Sequence, residues 1–189
     1  ADTFTDAVRN GNLASSAFAW TYDSTSPTME ITVAEGESGF ASNDASLTLT
    51  FTSSEPTADF VMGDVAASGG TLSGFAGSGT TYTATFTPSG DGAKTIAVLA
   101  DTFTDAVGNE NLASSAFAWT YDSTSPTMVI TAAEVPSDLT SNDATLSLTF
   151  TSSEPTADFD VDDVAVSGGI LSGFSGSGKT YTATFTPDG

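Results

Sequence analysis

The sequence contains no cysteine and no histidine, and it sets three basic residues, Arg9, Lys94 and Lys179, against 24 acidic ones. Each shortage excludes something. Without cysteine no disulfide can close a loop, so stability must come from a packed core and from any bound metal. Without histidine or a thiol, the usual general base and the usual sulfur nucleophile are missing. A formal net charge of -21 leaves no basic face for nucleic acid or an anionic membrane. The same excess favours divalent cations, a salty medium that screens self-repulsion, or both. No run is long and apolar enough to span a membrane, no secretory leader opens the chain, and no Asn-x-Ser/Thr sequon occurs. The residues read as a mature or excised segment.

What the chain does contain is an internal repeat. Trp20 matches Trp119, Phe51 matches Phe150 and Tyr82 matches Tyr181, each at an offset of 99, and residues 1–90 align with 100–189 without insertion. A repeat of that length has the size of an immunoglobulin-like sandwich. Half-buried strands alternate apolar and polar residues, and "LTLTF" at 47–51, "YTATF" at 82–86 and "AFAWTY" at 116–121 do so. "KTIAVLA" at 94–100 is more continuously apolar, as a central strand would be. Gly, Ser, Asn, Asp and Pro cluster between these runs, and no helical period of useful length appears. The fold class is therefore all-β: tandem sandwiches of about seven short strands per repeat. The expected core is Leu47, Leu49, Phe51, Tyr82, Phe86, Ile96, Val98 and Trp119, with Leu146, Leu148, Phe150, Tyr181 and Phe185 in the second copy.

Pro27 and Pro126 close the repeated "AFAWTYDSTSP", and proline suits the entry to an edge strand. Taking that as the boundary, residues 24–122 form one complete module. Residues 1–23 are then the last hairpin and strand of a preceding module, and 123–189 a following module lacking its last strands. Two full periods would need nine more residues, the equivalents of 91–99. Phe18, Trp20 and Tyr22 would share one face of the first segment, an assembly surface for adjacent repeats or for copies of the chain joined head to tail.

"FTDAVGNENLASSAFAWTYDSTSPTM", "SSEPTADF", "DVAVSGGILSGFSGSG" and "TYTATFTP" together resemble the bacterial Ig-like repeats of giant adhesins and other large extracellular proteins. The resemblance covers the whole chain. It implies an extended string of sandwiches, secreted or at the cell surface, and in several relatives calcium rigidifies the junctions between domains. In such a sandwich the incoming linker, the loop after the second long strand and the last hairpin share one end. Asp23, Glu55, Asp105 and Asn109 would meet there, and calcium takes six to eight oxygens. The equivalents at the next junction are Asp122 and Glu154, with Asp6 and Asn10 supplied by a following segment. As plain turn formers, Asp and Asn need no metal. The first copy also departs from the second, carrying Arg9 where the other has Gly108.

Other features support blander readings. "DFDVDD" (Asp158, Asp160, Asp162, Asp163) reads as a solvated loop, since the first copy keeps only two of the four acids. The Thr ladders read as the polar face of a twisted sheet rather than an ice-binding plane. No enzyme is expected, because no basic group is shared by the two copies and small sandwiches offer little concavity. A structural rod is thus the leading reading. An adhesin or module binding surface glycans is the rival, and exposed aromatics would favour it. Phe75 and Phe174 are either core plugs or exposed contacts.

Overall fold

A computed structural model describes residues 3–137 and 140–188. The chain divides into two units, Ala1–Ser123 and Thr124–Gly189.

The first unit is built from seven strands: β1 (Met29–Val33), β2 (Ala41–Ser42), β3 (Leu47–Thr57), β4 (Val65–Ser68), β5 (Gly70–Pro88), β6 (Gly92–Val98) and β7 (Phe117–Tyr121). They form two sheets, ordered β1-β3-β5 and β2-β7-β6-β4. Pairing is antiparallel except between β2 and β7. The alternation in "LTLTF" and "YTATF" sets the register. Leu47 faces Phe86, Leu49 faces Ala84 and Phe51 faces Tyr82, while Thr48, Thr50 and Thr52 face Thr85, Thr83 and Thr81 on the outer side. One face packs and the other meets water, as expected of an antiparallel sheet in a sandwich.

β5 doubles back on itself. A Cβ on Gly70 would meet the Thr87 carbonyl at 2.4 Å, and one on Gly77 would meet the Thr81 carbonyl at 2.3 Å. Residues 70 and 87 could not touch in an extended strand, so the chain turns between Gly77 and Thr81. The close approach of the two limbs leaves no room for a side chain at Gly70 or Gly77.

Every residue expected in the first core is buried, and the two sheets meet in an edge-to-face contact of Phe86 with Trp119, ring centroids 4.9 Å apart. The core also takes in Met29, Ile31, Phe60, Val65, Phe103 and Phe117. Phe75 is a core plug, stacked on Tyr82 at 5.7 Å. Lys94 lies on the inward face of β6 and is buried; its ammonium donates to the Ser89 carbonyl at the sheet's end (3.4 Å). The Trp119 indole N–H is buried without a partner.

The second unit consists of β8 (Met128–Ala132), β9 (Leu146–Thr156) and β10 (Gly169–Pro187) in one antiparallel sheet, ordered β10-β9-β8. It repeats the first sheet's register: Ile130 faces Phe150 as Ile31 faces Phe51. Phe150 and Tyr181 are buried, and Phe174 stacks on Tyr181 as Phe75 does on Tyr82. The expectation of one core set in both copies fails at Leu146, Leu148 and Phe185, which are only partly buried. In the first unit their counterparts share one core with Ile96, Val98, Phe117 and Trp119 of β6 and β7, and the second unit has no such strands among its described residues. For the same reason residues 165–167 and 140–141 do not form the strands that 66–68 and 41–42 do. β4 exists by pairing with β6, and β2 by pairing with β7.

Candidate metal site

Three chain segments bring the cluster together: the linker carrying Asp23, the bulged end of β3 carrying Glu55, and the 102–111 hairpin carrying Asp105. One carboxylate oxygen from each lies within 4.8 Å of the others. Pro56, Ala106 and Val107 complete a shallow cleft of about 150 Å3.

The hairpin is fixed by its own side chains. Asp105 accepts from the Val107 and Asn109 N–H groups (both 2.9 Å) and from the Asn109 side-chain amide (2.8 Å). That amide also donates to the Asp23 carbonyl at 3.5 Å, which ties the linker to the hairpin. Asn111, fully buried, accepts from the N–H groups of Thr102 and Phe103 and donates to the carbonyls of Leu99 and Leu112. Asn109 thus enters the cluster through its N–H, orienting Asp105, and the three carboxylates supply the oxygens.

The charges are strained against one another. Burial first, then the charges of Asp23 and Asp105 and a hydrogen bond with Asp105, raise the Glu55 carboxyl above its usual range. Burial pushes Asp105 the same way, but the N–H donors of Asn109, Val107 and Gly108 outweigh it and leave Asp105 below its usual range. Hard oxygen ligands in excess of local positive charge suit calcium, with water completing the coordination.

The other expected site residues belong to both units. Asp6 and Asn10 form the same turn as Asp105 and Asn109: Asp6 accepts from the Val8 and Asn10 N–H groups (3.0 and 2.8 Å) and from the Asn10 amide (2.7 Å). Their hairpin is exposed. Arg9 takes φ 72° where Gly108 takes φ 92°, so the Asp-centred turn holds a left-handed residue even when that residue has a side chain. The N–H of Asp122, in the first unit, donates to the Ser42 carbonyl. Glu154 stands half-buried at the end of β9 in the second unit. Phe18, Trp20 and Tyr22 are 92%, 73% and 74% exposed.

One feature escaped the sequence reading. Asp59 clamps the loop after β3 to the hairpin, accepting from the Thr57 hydroxyl (2.7 Å), the Thr104 hydroxyl (2.7 Å) and the Thr104 N–H (3.0 Å). The Thr-x-Asp of "TADF" was the available signal. The "DFDVDD" acids are exposed, as the solvated-loop reading expected, and Asp160 and Asp163 cap a short 3-10 turn there by accepting from the Asp162 and Asp160 N–H groups.

The sequence model of the bacterial Ig-like domain matches residues 23–121 and again 122–189. The chain belongs to that family. Its two matches make this a tandem-repeat Ig-like protein, with the sandwich architecture the sheets display. No curated protein matches the chain. Among the described residues no helix is long and apolar enough to cross a membrane.

Proposed function

We propose that this tandem Ig-like chain is a structural segment of an extracellular rod, its modules joined head to tail and stiffened by calcium at Asp23, Glu55 and Asp105. The observation that carries the reading is the meeting of three carboxylates from three segments at the point where the linker enters its module. A cation there would bind the linker, the β3 end and the hairpin to one another, and would lock the direction in which the chain enters. The net charge of -21 supports the same conclusion, since a long array of such modules needs counter-ions to stay compact. The role is mechanical rather than catalytic, and the modules need no chemistry beyond oxygen ligation.

The test is a calcium titration of the full chain. A ligand that binds only the folded state at 100 times its Kd stabilises by about 2.7 kcal/mol. Calcium should raise the melting temperature of the first unit and chelator should lower it, with Asp105→Asn abolishing the difference. A melting curve indifferent to calcium and chelator would overturn the metal and leave these residues as turn formers. A second reading, an adhesin or glycan-binding module, draws on the exposed Phe18, Trp20 and Tyr22. Retention on glycan arrays that Trp20→Ala removes would favour it.

A further inference from the structure

We propose that the parallel pairing of the entering segment with β7 is a tension clamp, by which the first unit resists a pull along its length in shear. The proposal rests on the rod reading above and names the bonds that take the pull.

The points where the chain enters and leaves the module lie at opposite ends of the sandwich. Asp23 stands at the 102–111 hairpin, held through the Asn109 amide. Ser123 stands at the turn between β5 and β6, where its N–H and its hydroxyl both donate to Asp91 (2.8 Å each). β6 runs from the second end toward the first: Gly92 opposes Tyr121, and Ile96 opposes Phe117. A pull on the flanking chain therefore draws Asp23 and Ser123 apart along the strand direction.

Between those points the entering segment changes sheets. It first runs as β1 beside β3, with Met29 to Val33 in antiparallel register. Gly39 takes φ 102° where the chain reaches β7, and Phe40 seats on Phe117 with ring centroids 6.2 Å apart. From there the segment runs parallel to β7. The Gly39 N–H donates to the Ala118 carbonyl (2.6 Å), the Thr120 N–H to the Phe40 carbonyl (3.0 Å) and the Asp122 N–H to the Ser42 carbonyl (3.0 Å). The Ser38 hydroxyl oxygen accepts from the Ala118 N–H (3.1 Å). Nearer the hairpin, the Leu112 N–H donates to the Pro27 carbonyl (2.9 Å). The entering and leaving segments are thus bonded directly to each other toward both ends of the module.

Direction decides what those bonds can withstand. Hydrogen bonds between strands lie across the strands rather than along them. When the ends are drawn apart, the entering segment is dragged toward the hairpin and β7 toward Asp91. The bonds between 38–42 and 118–122 are then stretched together, and the pair yields only when several break at once. Were these two segments antiparallel, the same pull would open them from one end, one bond at a time. Asp91 adds a latch, since Ser123 must leave it before the full pull reaches β7. None of these bonds involves a metal, so the clamp acts with or without calcium at the entry.

Because the chain has no cysteine, paired thiol handles direct the force in single-molecule pulling of the full chain, carried out in chelator. Handles at Ser24→Cys and Ser125→Cys stretch the clamp in shear. Handles at Asn43→Cys and Ser125→Cys lie at the same end of β2 and β7 and peel the same bonds. The shear pair should give the higher rupture force for the first unit. Asp122→Pro, which deletes the N–H donated to Ser42, and Ser38→Ala should each lower the shear force; should Asp122→Pro not fold, Ser38→Ala decides. Val65→Ala, on the buried face of β4 and outside the clamp, should lower the melting temperature and leave the shear force unchanged, because forced unfolding follows the unfolding rate rather than the equilibrium stability. Equal forces from the two handle pairs, or a shear force that follows melting temperature across the variants, would overturn the proposal. Calcium is added as a separate arm. Directional strength in chelator with no response to calcium keeps the clamp and sinks the metal; stabilisation by calcium without directional strength keeps the metal and sinks the clamp.

Discussion

Trp20 and Trp119 are the chain's two tryptophans, set in the same local sequence, and the structure gives them opposite surroundings. Removing each in turn measures what the sandwich contributes at that position. A buried tryptophan hides about 150–250 Å2, which at about 25 cal/mol per Å2 is worth about 4–6 kcal/mol. Core Trp→Ala changes cost about 3–5 kcal/mol, so we expect Trp119→Ala to cost about 4 kcal/mol, a fall of roughly 10–20 °C in melting temperature. Trp20→Ala in dilute monomer should stay within about 0.5 kcal/mol. Trp119→Phe should lie much nearer to neutral: the lost ring area is offset by removal of a buried N–H that has no partner, a group that costs about 1–3 kcal/mol. Thermal and urea melts followed by far-UV circular dichroism give the three values. Acrylamide should quench the remaining tryptophan efficiently in both Trp119 variants, which keep the exposed Trp20, and poorly in Trp20→Ala. Equal costs for Trp20→Ala and Trp119→Ala would refute the placement of both segments.

Leu49→Ala should cost about 2–5 kcal/mol in the first unit, and Leu148→Ala clearly less in the second, where the same position is only partly covered; equal costs in urea melts would contradict the uncovered face. Asp59→Ala should detach the 102–111 hairpin from the loop after β3, seen as faster amide exchange at Thr104. Burial pushes the Asp59 carboxyl up, but the Thr57 and Thr104 donors outweigh it and hold it below its ordinary value, so its stabilisation is present above the unfolded value near 3.8 and is lost as pH falls through the lower, folded one. Glu55 has the opposite sign. Its raised folded value favours the protonated form, so in chelator the first unit should lose stability as pH rises through that value. Glu55→Gln should flatten this limb, and calcium should reverse it; an unchanged limb in Glu55→Gln would clear Glu55 of the effect.

The alternation of Leu, Phe and Tyr with Thr made the sheet register legible before any coordinates, because burial of one face leaves little freedom in strand pairing. The meeting of Asp23, Glu55 and Asp105 was legible from the resemblance alone, since no local pattern joins residues so far apart in sequence. The fold of β5 back on itself was not. Its glycines mark turns without saying which limbs approach. The partial exposure of Leu146, Leu148 and Phe185 was hidden too: alternation reports which face of a strand is apolar, not whether a second sheet covers it. Asn109 was expected as an oxygen ligand, and its N–H role depends on a side-chain orientation that sequence does not encode. Trp119 looked like any core aromatic, and nothing in "AFAWTY" signals that its indole N–H is left unpaired.

The near-identity of 3–22 and 102–121 also bears on how the first unit reaches its native state. β7 is the last strand of that unit in chain order, and its seat lies between β2 and β6. While that seat is unfilled, residues 3–22 of another molecule compete for it with almost the same side chains. Neighbouring repeats this similar are prone to exchanging strands. The outcome is set by concentration. In dilute solution the covalently attached 102–121 arrives first, whereas in crowded refolding the intruder wins a growing share and must leave before the native strand can enter. Refolding should therefore show a slow phase whose amplitude rises with protein concentration, and deleting residues 1–22 should abolish it.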